Sequence, residues 1–285
     1  MANIQTVGVA GAGTMGSGIA HVFARAGFRV LLCDVEQNLL DRAISQIRTN
    51  MGREAAKGKI TEADADAAVA RIVPTTEHDA LSGSDFAVEA ATERFELKAN
   101  LFRRLDRLLP LGAILATNTS SISITKLAAQ TRRPHQVIGM HFFNPVPMMA
   151  LVEVIRGLAT DDATFDLVQG LALRLGKTPV AVNDAAGFVS NRVLMPLINE
   201  AAYAVMEGVA TPEAVDQVFK LGMAHPMGPL TLADFIGLDV CVDIMRVLEE
   251  GLGNPKYHPC PLLARMVDAG WLGRKSRRGF YTYDT

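Results

Sequence analysis

Of six histidines in the chain, one stands where acid–base chemistry is feasible. His141 closes the apolar run Val137-Ile138-Gly139-Met140, and Glu153 follows 12 residues later inside a second run, Leu151 to Ile155. The link between them, residues 142–150, contains two prolines and is too short for a helical crossover. The two runs are therefore expected to pair as an antiparallel hairpin, with His141 and Glu153 side by side. A carboxylate on one imidazole nitrogen fixes the tautomer and stabilises the imidazolium, leaving the other nitrogen to take a proton. Spacing alone leaves this reading level with a plainer one, a structural histidine beside an edge-strand glutamate. His21, inside a helical pattern, reads as a packing or surface residue. His78, His135, His225 and His258 lie in or beside loop signals with no obvious partner.

A second chemical signal lies near the start, in Gly11-Ala12-Gly13-Thr14-Met15-Gly16. This G-x-G-x-x-G run follows an apolar strand pattern, residues 6–10, and opens a helix, which is the context that gives it meaning. The first glycine permits the turn, the second lets backbone approach a pyrophosphate, and the third packs helix on strand. The pyrophosphate would then sit at the positive end of a helix. Asp34 ends the next strand, 18 residues past Gly16, where a carboxylate accepts hydrogen bonds from the adenosine ribose and repels a 2′-phosphate. The expected cofactor is NAD, held by Gly11, Gly13, Thr14, Met15, Gly16 and Asp34. The plainer alternatives are a tight turn without nucleotide, and Asp34 as a helix cap.

The elements that must position these residues alternate strand and helix through the first two-thirds of the chain. Residues 6–10, 29–34, 72–73, 86–89, 114–117, 137–141, 151–155 and 179–182 read as strands. A helix carrying Leu40, Ile44, Ile47 and Met51 at i, i+4, i+7, i+11 and a second over 61–71 supply more helix than one crossover needs, so they are expected to project from the sheet. From Gly187 the pattern is helical only, with long helices predicted over 188–207 and 235–250 and a cap-then-proline start at Thr211-Pro212. The expected architecture is α/β. A doubly wound Rossmann-type sheet over 1–184, with a projecting helical arm, precedes an all-helical substrate and dimerisation domain over 185–285. The helical part holds more apolar positions than a private core needs, among them Met195, Phe219, Leu221 and Phe235, so a homodimer through it is expected.

Composition narrows the partners. A net charge of -2 in 285 residues gives no reason to expect nucleic acid or an anionic membrane. No apolar run reaches the roughly 18 residues of a membrane span. The first strand follows Met1-Ala2-Asn3 directly, leaving no room for a signal peptide. Cys33, Cys241 and Cys260 are odd in number and far apart, which suits reduced cytosolic thiols rather than a disulfide or a metal framework. The expected location is cytoplasmic, with no metal.

Six motifs occur in order: the glycine run at 11–16, Glu89-Ala90-Ala91-Thr92-Glu93, Asn118-Thr119-Ser120-Ser121, His141-Phe142-Phe143-Asn144-Pro145-Val146-Pro147, Leu151-Val152-Glu153-Val154, and Gly187-Phe188-Val189-Ser190-Asn191-Arg192. With the closing Arg274-Lys275 and Gly279-Phe280-Tyr281, they resemble the L-3-hydroxyacyl-CoA dehydrogenase family over nearly the whole chain. The resemblance implies an NAD-dependent oxidoreductase of fatty-acid metabolism that interconverts (S)-3-hydroxyacyl-CoA and 3-oxoacyl-CoA, with a short-chain thioester as substrate. It makes His141 the general base and Glu153 its orienting partner, and it matches Ser120 and Asn191 to groups that hold substrate oxygens. It also implies cofactor contacts from Glu93, Lys98, Ser120, Asn144 and Lys275. Lys57, near Arg53 and Lys59 on the expected arm, is a candidate for the CoA phosphates, against the alternative of a solvated helix end. Ser120 and Asn191 each have a capping alternative. Rival readings are a β-hydroxyacid dehydrogenase acting on a free acid and a non-catalytic NAD-binding protein; the His141–Glu153 spacing argues against the first, and the full set Ser120, His141, Glu153 and Asn191 against the second.

Overall fold

The computed structural model describes residues 4–284, which divide into two compact units, one ending at Asp184 and the other beginning at Ala185. The first is built on one eight-stranded sheet in the order β3-β2-β1-β4-β5-β6-β7-β8. Its strands are β1 (Thr6–Ala10), β2 (Arg29–Cys33), β3 (Ile72–Thr75), β4 (Phe86–Glu89), β5 (Ile114–Thr117), β6 (Val137–Phe142), β7 (Leu151–Arg156) and β8 (Thr178–Asn183). All neighbours are parallel except β6 and β7. The first six strands thus have the doubly wound order, which leaves a ligand crevice at the carboxyl ends where the strand order reverses, beside β1 and β4. Every residue of β4, β5 and β6 is buried, as expected of central strands covered on both faces.

Helices α1 (Thr14–Arg25), α2 (Gln37–Ala56), α3 (Glu62–Ala70), α4 (Phe95–Leu108), α5 (Ile124–Ala128) and α6 (Asp162–Arg174) complete this unit. The α2–α3 pair packs against α1 rather than standing free. Leu40, Ala43, Ile47 and Met51 of α2 join the same core cluster as Ile19 and Phe23 of α1 and the strand residues Val7, Val30 and Val88. Thr61 caps α3 through a reciprocal box with Asp64, which ends the α2–α3 turn cleanly.

The second unit contains α7 (Ser190–Met206), α8 (Pro212–Gln217), α9 (Pro229–Ile236), α10 (Leu238–Leu252) and α11 (Pro261–Asp268). Two helical expectations are corrected here. The helix predicted from 188 starts at Ser190, because Gly187 and Phe188 both hold positive φ, 72° and 51°. The helix predicted over 235–250 is broken into α9 and α10 at Gly237, whose φ of 107° no right-handed helix allows. Met195, Ile198, Leu238, Met245 and Leu263 form the core of this unit. Two buried carboxylates then fasten the chain's end. Asp216 accepts from the amides of Leu230 and Thr231 and from the Tyr281 hydroxyl, at 2.8, 2.8 and 2.9 Å. Asp234 accepts from the amides of Phe280 and Tyr281 and from the Tyr283 hydroxyl, at 2.9, 3.0 and 2.9 Å.

Candidate active site

Gly11 to Gly13 connect β1 to α1, and Gly16 lies in the first turn of α1. Gly11 has φ 111°, and a Cβ there would lie 2.6 Å from the Ala90 carbonyl oxygen, so the turn requires glycine. At Gly16 a Cβ would run into the Gly11 carbonyl, whereas at Gly13 nothing lies within 4 Å. Gly13 is also the N-cap of α1, with no side chain bonded to the first-turn amides and no acidic residue in that turn. Unfilled helix amides beside open space form an anion site, and a dinucleotide pyrophosphate fits it. Thr14 and Met15 open the helix.

Asp34 follows β2 and binds this loop directly. Its Oδ2 accepts from the Ala12 amide at 2.7 Å and its Oδ1 from the Glu36 amide at 3.2 Å. A cavity of about 460 Å³ opens there, lined by Gly11, Gly13, Asp34, Val35, Leu97 and Leu101 among others. Its apolar walls and the Asp34 carboxylate suit an adenosine, and Glu36, His78 and Arg104 line it as well. A second cavity, about 450 Å³, lies on the other side of Gly13, between Thr14, Ser17 and His21 of α1, Arg42, Gln46 and Asn50 of α2, and Asn144 to Pro147 of the β6–β7 link. Lys177 anchors that link by donating to the carbonyls of Met149, at 2.7 Å, and Val146.

The hairpin expected between β6 and β7 is present, and His141 stands directly opposite Glu153 in its register. Nδ1 of His141 lies 2.8 Å from Oε2 of Glu153, with the side chains only 10% and 3% exposed. Burial in low dielectric strengthens a charge-assisted contact of this kind. The neighbouring Phe142 amide donates to Oδ1 of Asn118 at 2.9 Å, and this ties the end of β6 to the Asn118–Ser121 loop after β5.

That loop is gathered by Glu93. One carboxylate oxygen, Oε1, accepts from the Thr119 hydroxyl, the Ser120 amide at 2.9 Å, the Ser120 hydroxyl at 3.3 Å and both donors of Ser121. Burial alone would push the Glu93 carboxyl up, but the Lys98 ammonium, the Thr119 hydroxyl and the Ser120 amide together hold it below the usual carboxylate range. Beneath it, Lys98 is 1% exposed and sits 3.2 Å from Glu93 and 2.7 Å from Glu89. Its ammonium lies enclosed under the loop. Glu89 and Thr117 complete this arrangement, and their signal in the sequence is that β4 and β5 each end in a polar side chain after an apolar run.

Of the remaining candidates, Asn144 and Lys57 belong to the first unit and Asn191 and Lys275 to the second. Asn144 is exposed in the β6–β7 link. Lys57 caps the carboxyl end of α2 and is exposed, as are Arg53 and Lys59. Asn191 is half-buried in the first turn of α7, its amide donating to the Gly187 carbonyl at 3.1 Å. Lys275 lies in a short turn, 2.6 Å from Oδ2 of Asp239. Among the described residues no cluster of three or more potential metal ligands occurs, and no helix is long and apolar enough to cross a membrane.

A doubly wound sheet, a glycine loop at an uncapped helix start and a buried histidine–carboxylate pair near the strand ends together define a dinucleotide-dependent dehydrogenase. Residues 6–185 match the family described as 3-hydroxyacyl-CoA dehydrogenase, NAD binding domain, and residues 187–283 match 3-hydroxyacyl-CoA dehydrogenase, C-terminal domain. The chain belongs to the 3-hydroxyacyl-CoA dehydrogenase family, and its cofactor is NAD. It is 55% identical over 281 residues to a probable 3-hydroxybutyryl-CoA dehydrogenase of Bacillus subtilis, covering 99% of this chain and 98% of that one. It is 52% identical to a 3-hydroxybutyryl-CoA dehydrogenase of Bradyrhizobium diazoefficiens, covering 98% and 96%. The crystal structure of the (S)-3-hydroxybutyryl-CoA dehydrogenase of Ralstonia eutropha has a TM-score of 0.97 at 48% identity, covering 99% of this chain and all of that one.

Proposed function

We propose that the protein interconverts (S)-3-hydroxybutyryl-CoA and acetoacetyl-CoA. The buried contact between His141 and Glu153 is the observation that carries this reading. In oxidation Nε2 of His141 takes the proton of the C3 hydroxyl, and Glu153, on Nδ1, holds the ring and offsets the charge of the imidazolium. NAD, when bound, supplies the acceptor for the hydride that leaves C3. In reduction the His141 imidazolium returns the proton to the C3 alkoxide, which becomes the hydroxyl. Ser120 and Asn191 hold the substrate oxygens, which lowers the barrier insofar as they are aimed at charge that develops in the transition state. Gly13, Thr14 and Met15 present helix amides to the cofactor phosphates, and Asp34 takes the adenosine ribose. Glu93, Lys98, Ser120, Asn144 and Lys275 are assigned to the cofactor and Lys57 to the CoA phosphates.

The domain roles follow. Residues 1–184 bind the cofactor, while residues 185–285 contribute Asn191 and carry a homodimer interface. Val193, Leu221 and Phe235 support the dimer, being 65%, 83% and 52% exposed in the single chain. A cytoplasmic location fits the three buried, unpaired cysteines.

Acetoacetyl-CoA-dependent oxidation of NADH is the direct test, run beside longer 3-oxoacyl-CoA esters and free acetoacetate. Turnover of the free acid but not the thioester would refute the proposal. Sedimentation of the full chain and of a Val193→Glu/Leu221→Glu variant checks the interface, since the variant should be a monomer if this surface carries it.

A further inference from the structure

The Lys98 ammonium has its three donor directions accounted for within the protein: Oε1 of Glu89 at 2.7 Å, the Ala91 carbonyl at 3.1 Å and Oε2 of Glu93 at 3.2 Å. Glu89, wholly buried at the end of β4, accepts in addition from the Ala91 amide at 2.6 Å and, on its other oxygen, from the Thr117 hydroxyl at 2.6 Å. Thr117 ends the adjacent strand β5, and its hydroxyl oxygen accepts from the Thr119 amide at 3.2 Å. The backbone adds a further tie, with the Asn118 amide donating to the Glu89 carbonyl at 2.8 Å. A continuous polar chain therefore runs from the floor of the sheet, Glu89 and Thr117, through Lys98 to one oxygen of Glu93, whose other oxygen holds the Ser120 loop.

We infer that Glu89, Lys98 and Thr117 form a strut that positions Ser120 for the dehydrogenase reaction, with Lys98 acting through Glu93. Lys98 stands between two carboxylates, and the balance between them sets where Glu93 rests. With Glu89 neutral, Glu93 is the single remaining counter-charge for a buried ammonium. It is drawn inward, and the donors of Thr119, Ser120 and Ser121 lose the oxygen that gathers them. A misplacement of about 1 Å in a positioning group can cost about 100-fold in rate.

The inference rests on the reading of Ser120 as a substrate-holding group, so Ser120→Ala is measured alongside. Glu89→Gln keeps the shape of the side chain and removes its charge. It should lower kcat about tenfold to 100-fold, with a smaller change in the KM for NADH. Removing one partner of a buried ion pair also destabilises, whereas removing both is often neutral. In Glu89→Gln/Lys98→Met the thermal midpoint should therefore recover toward wild type while kcat stays low. Recovery of kcat together with the midpoint would reduce the pair to a structural role and overturn the inference. So would a folded Glu89→Gln with wild-type kcat. Thr117→Val withdraws one donor from the same strut and is expected to lower kcat even if Glu89→Gln does not fold; wild-type kcat in Thr117→Val would count against the strut. A silent Ser120→Ala beside a damaged Glu89→Gln would sink the reading of Ser120 and leave the strut as the support of the loop. A damaged Ser120→Ala beside a normal Glu89→Gln would sink the strut.

Discussion

Two sets of carboxylates in this molecule do similar hydrogen-bond chemistry to different ends. In the second unit Asp216 and Asp234 are 4% and 1% exposed, and their partners are backbone amides and the hydroxyls of Thr231, Tyr281 and Tyr283. They close upon the chain's own end and pin it. In the first unit Glu89 is equally buried, but the chain of contacts that starts from it ends at Glu93, whose side chain is 38% exposed. There the network comes to the surface at a loop carrying Ser120. A well-satisfied acid marks a functional region only when its network terminates at solvent-accessible groups. A saturated, enclosed one marks a fastening.

The sharpest break between the two regions is expected at His141, the group that the first unit's polar architecture serves. His141→Ala should lose about 10²–10⁴-fold in kcat while its NADH affinity remains near wild type. A variant within a few-fold of wild type would move the general base elsewhere. Next in size is Asp34→Ala. Hydrogen bonds to a charged group contribute about 1.5–3 kcal/mol, so NADH binding should weaken by about tenfold to 100-fold and the preference over NADPH should narrow, as fluorescence titration with both cofactors would show. An unchanged preference would remove Asp34 from the ribose.

The converse holds in the second unit. Asp234→Asn presents an amide group to donors and should cost about 1.5–3 kcal/mol of stability in denaturant unfolding, with NADH affinity unaltered. A variant as stable as wild type would contradict the fastening role.

The smallest effects are pH-dependent and differ in sign between the regions. The Glu93 carboxyl is held low in the folded state, so its contribution is fully present above the ordinary value of about 4.3 and is lost as pH falls through the lowered one. The Ser120 loop should loosen only in acid below that value, measurable as hydrogen exchange at residues 118–121. Tyr283 is pushed the other way, by burial and by the Asp234 carboxylate, to about 12. Its contribution is complete below the ordinary tyrosine value of about 10 and is lost as pH rises from there through about 12. The chain's end should therefore be released in alkali with the Asn118–Ser121 loop still in place. Release in the reverse order, or at neutral pH, would defeat the distinction.

Local pattern was enough wherever the physics is local. The glycine run announced a βα turn because Gly11 needs a backbone that a side chain forbids and Gly16 a contact that a Cβ would block. The short, proline-bearing link after His141 forced a hairpin, and the period of two along each strand then set His141 against Glu153. The alternation of apolar runs with amphipathic helices announced the doubly wound sheet for the same reason. Long-range closure is another matter. Apolar periodicity runs straight through Gly237, whereas the backbone breaks there between α9 and α10 at a positive φ. Glu89 and Thr117 are 28 residues apart and meet because sheet order places β4 beside β5. Asp234 and Tyr283, 49 apart, meet because the chain's end folds back on α9. Sequence by itself determined the turn chemistry, the strand faces and the histidine pair, since each follows from sterics or spacing within a short stretch. Which buried charges would find one another was decided only when packing excluded water and left each ionised group the partners that tertiary structure had brought within reach.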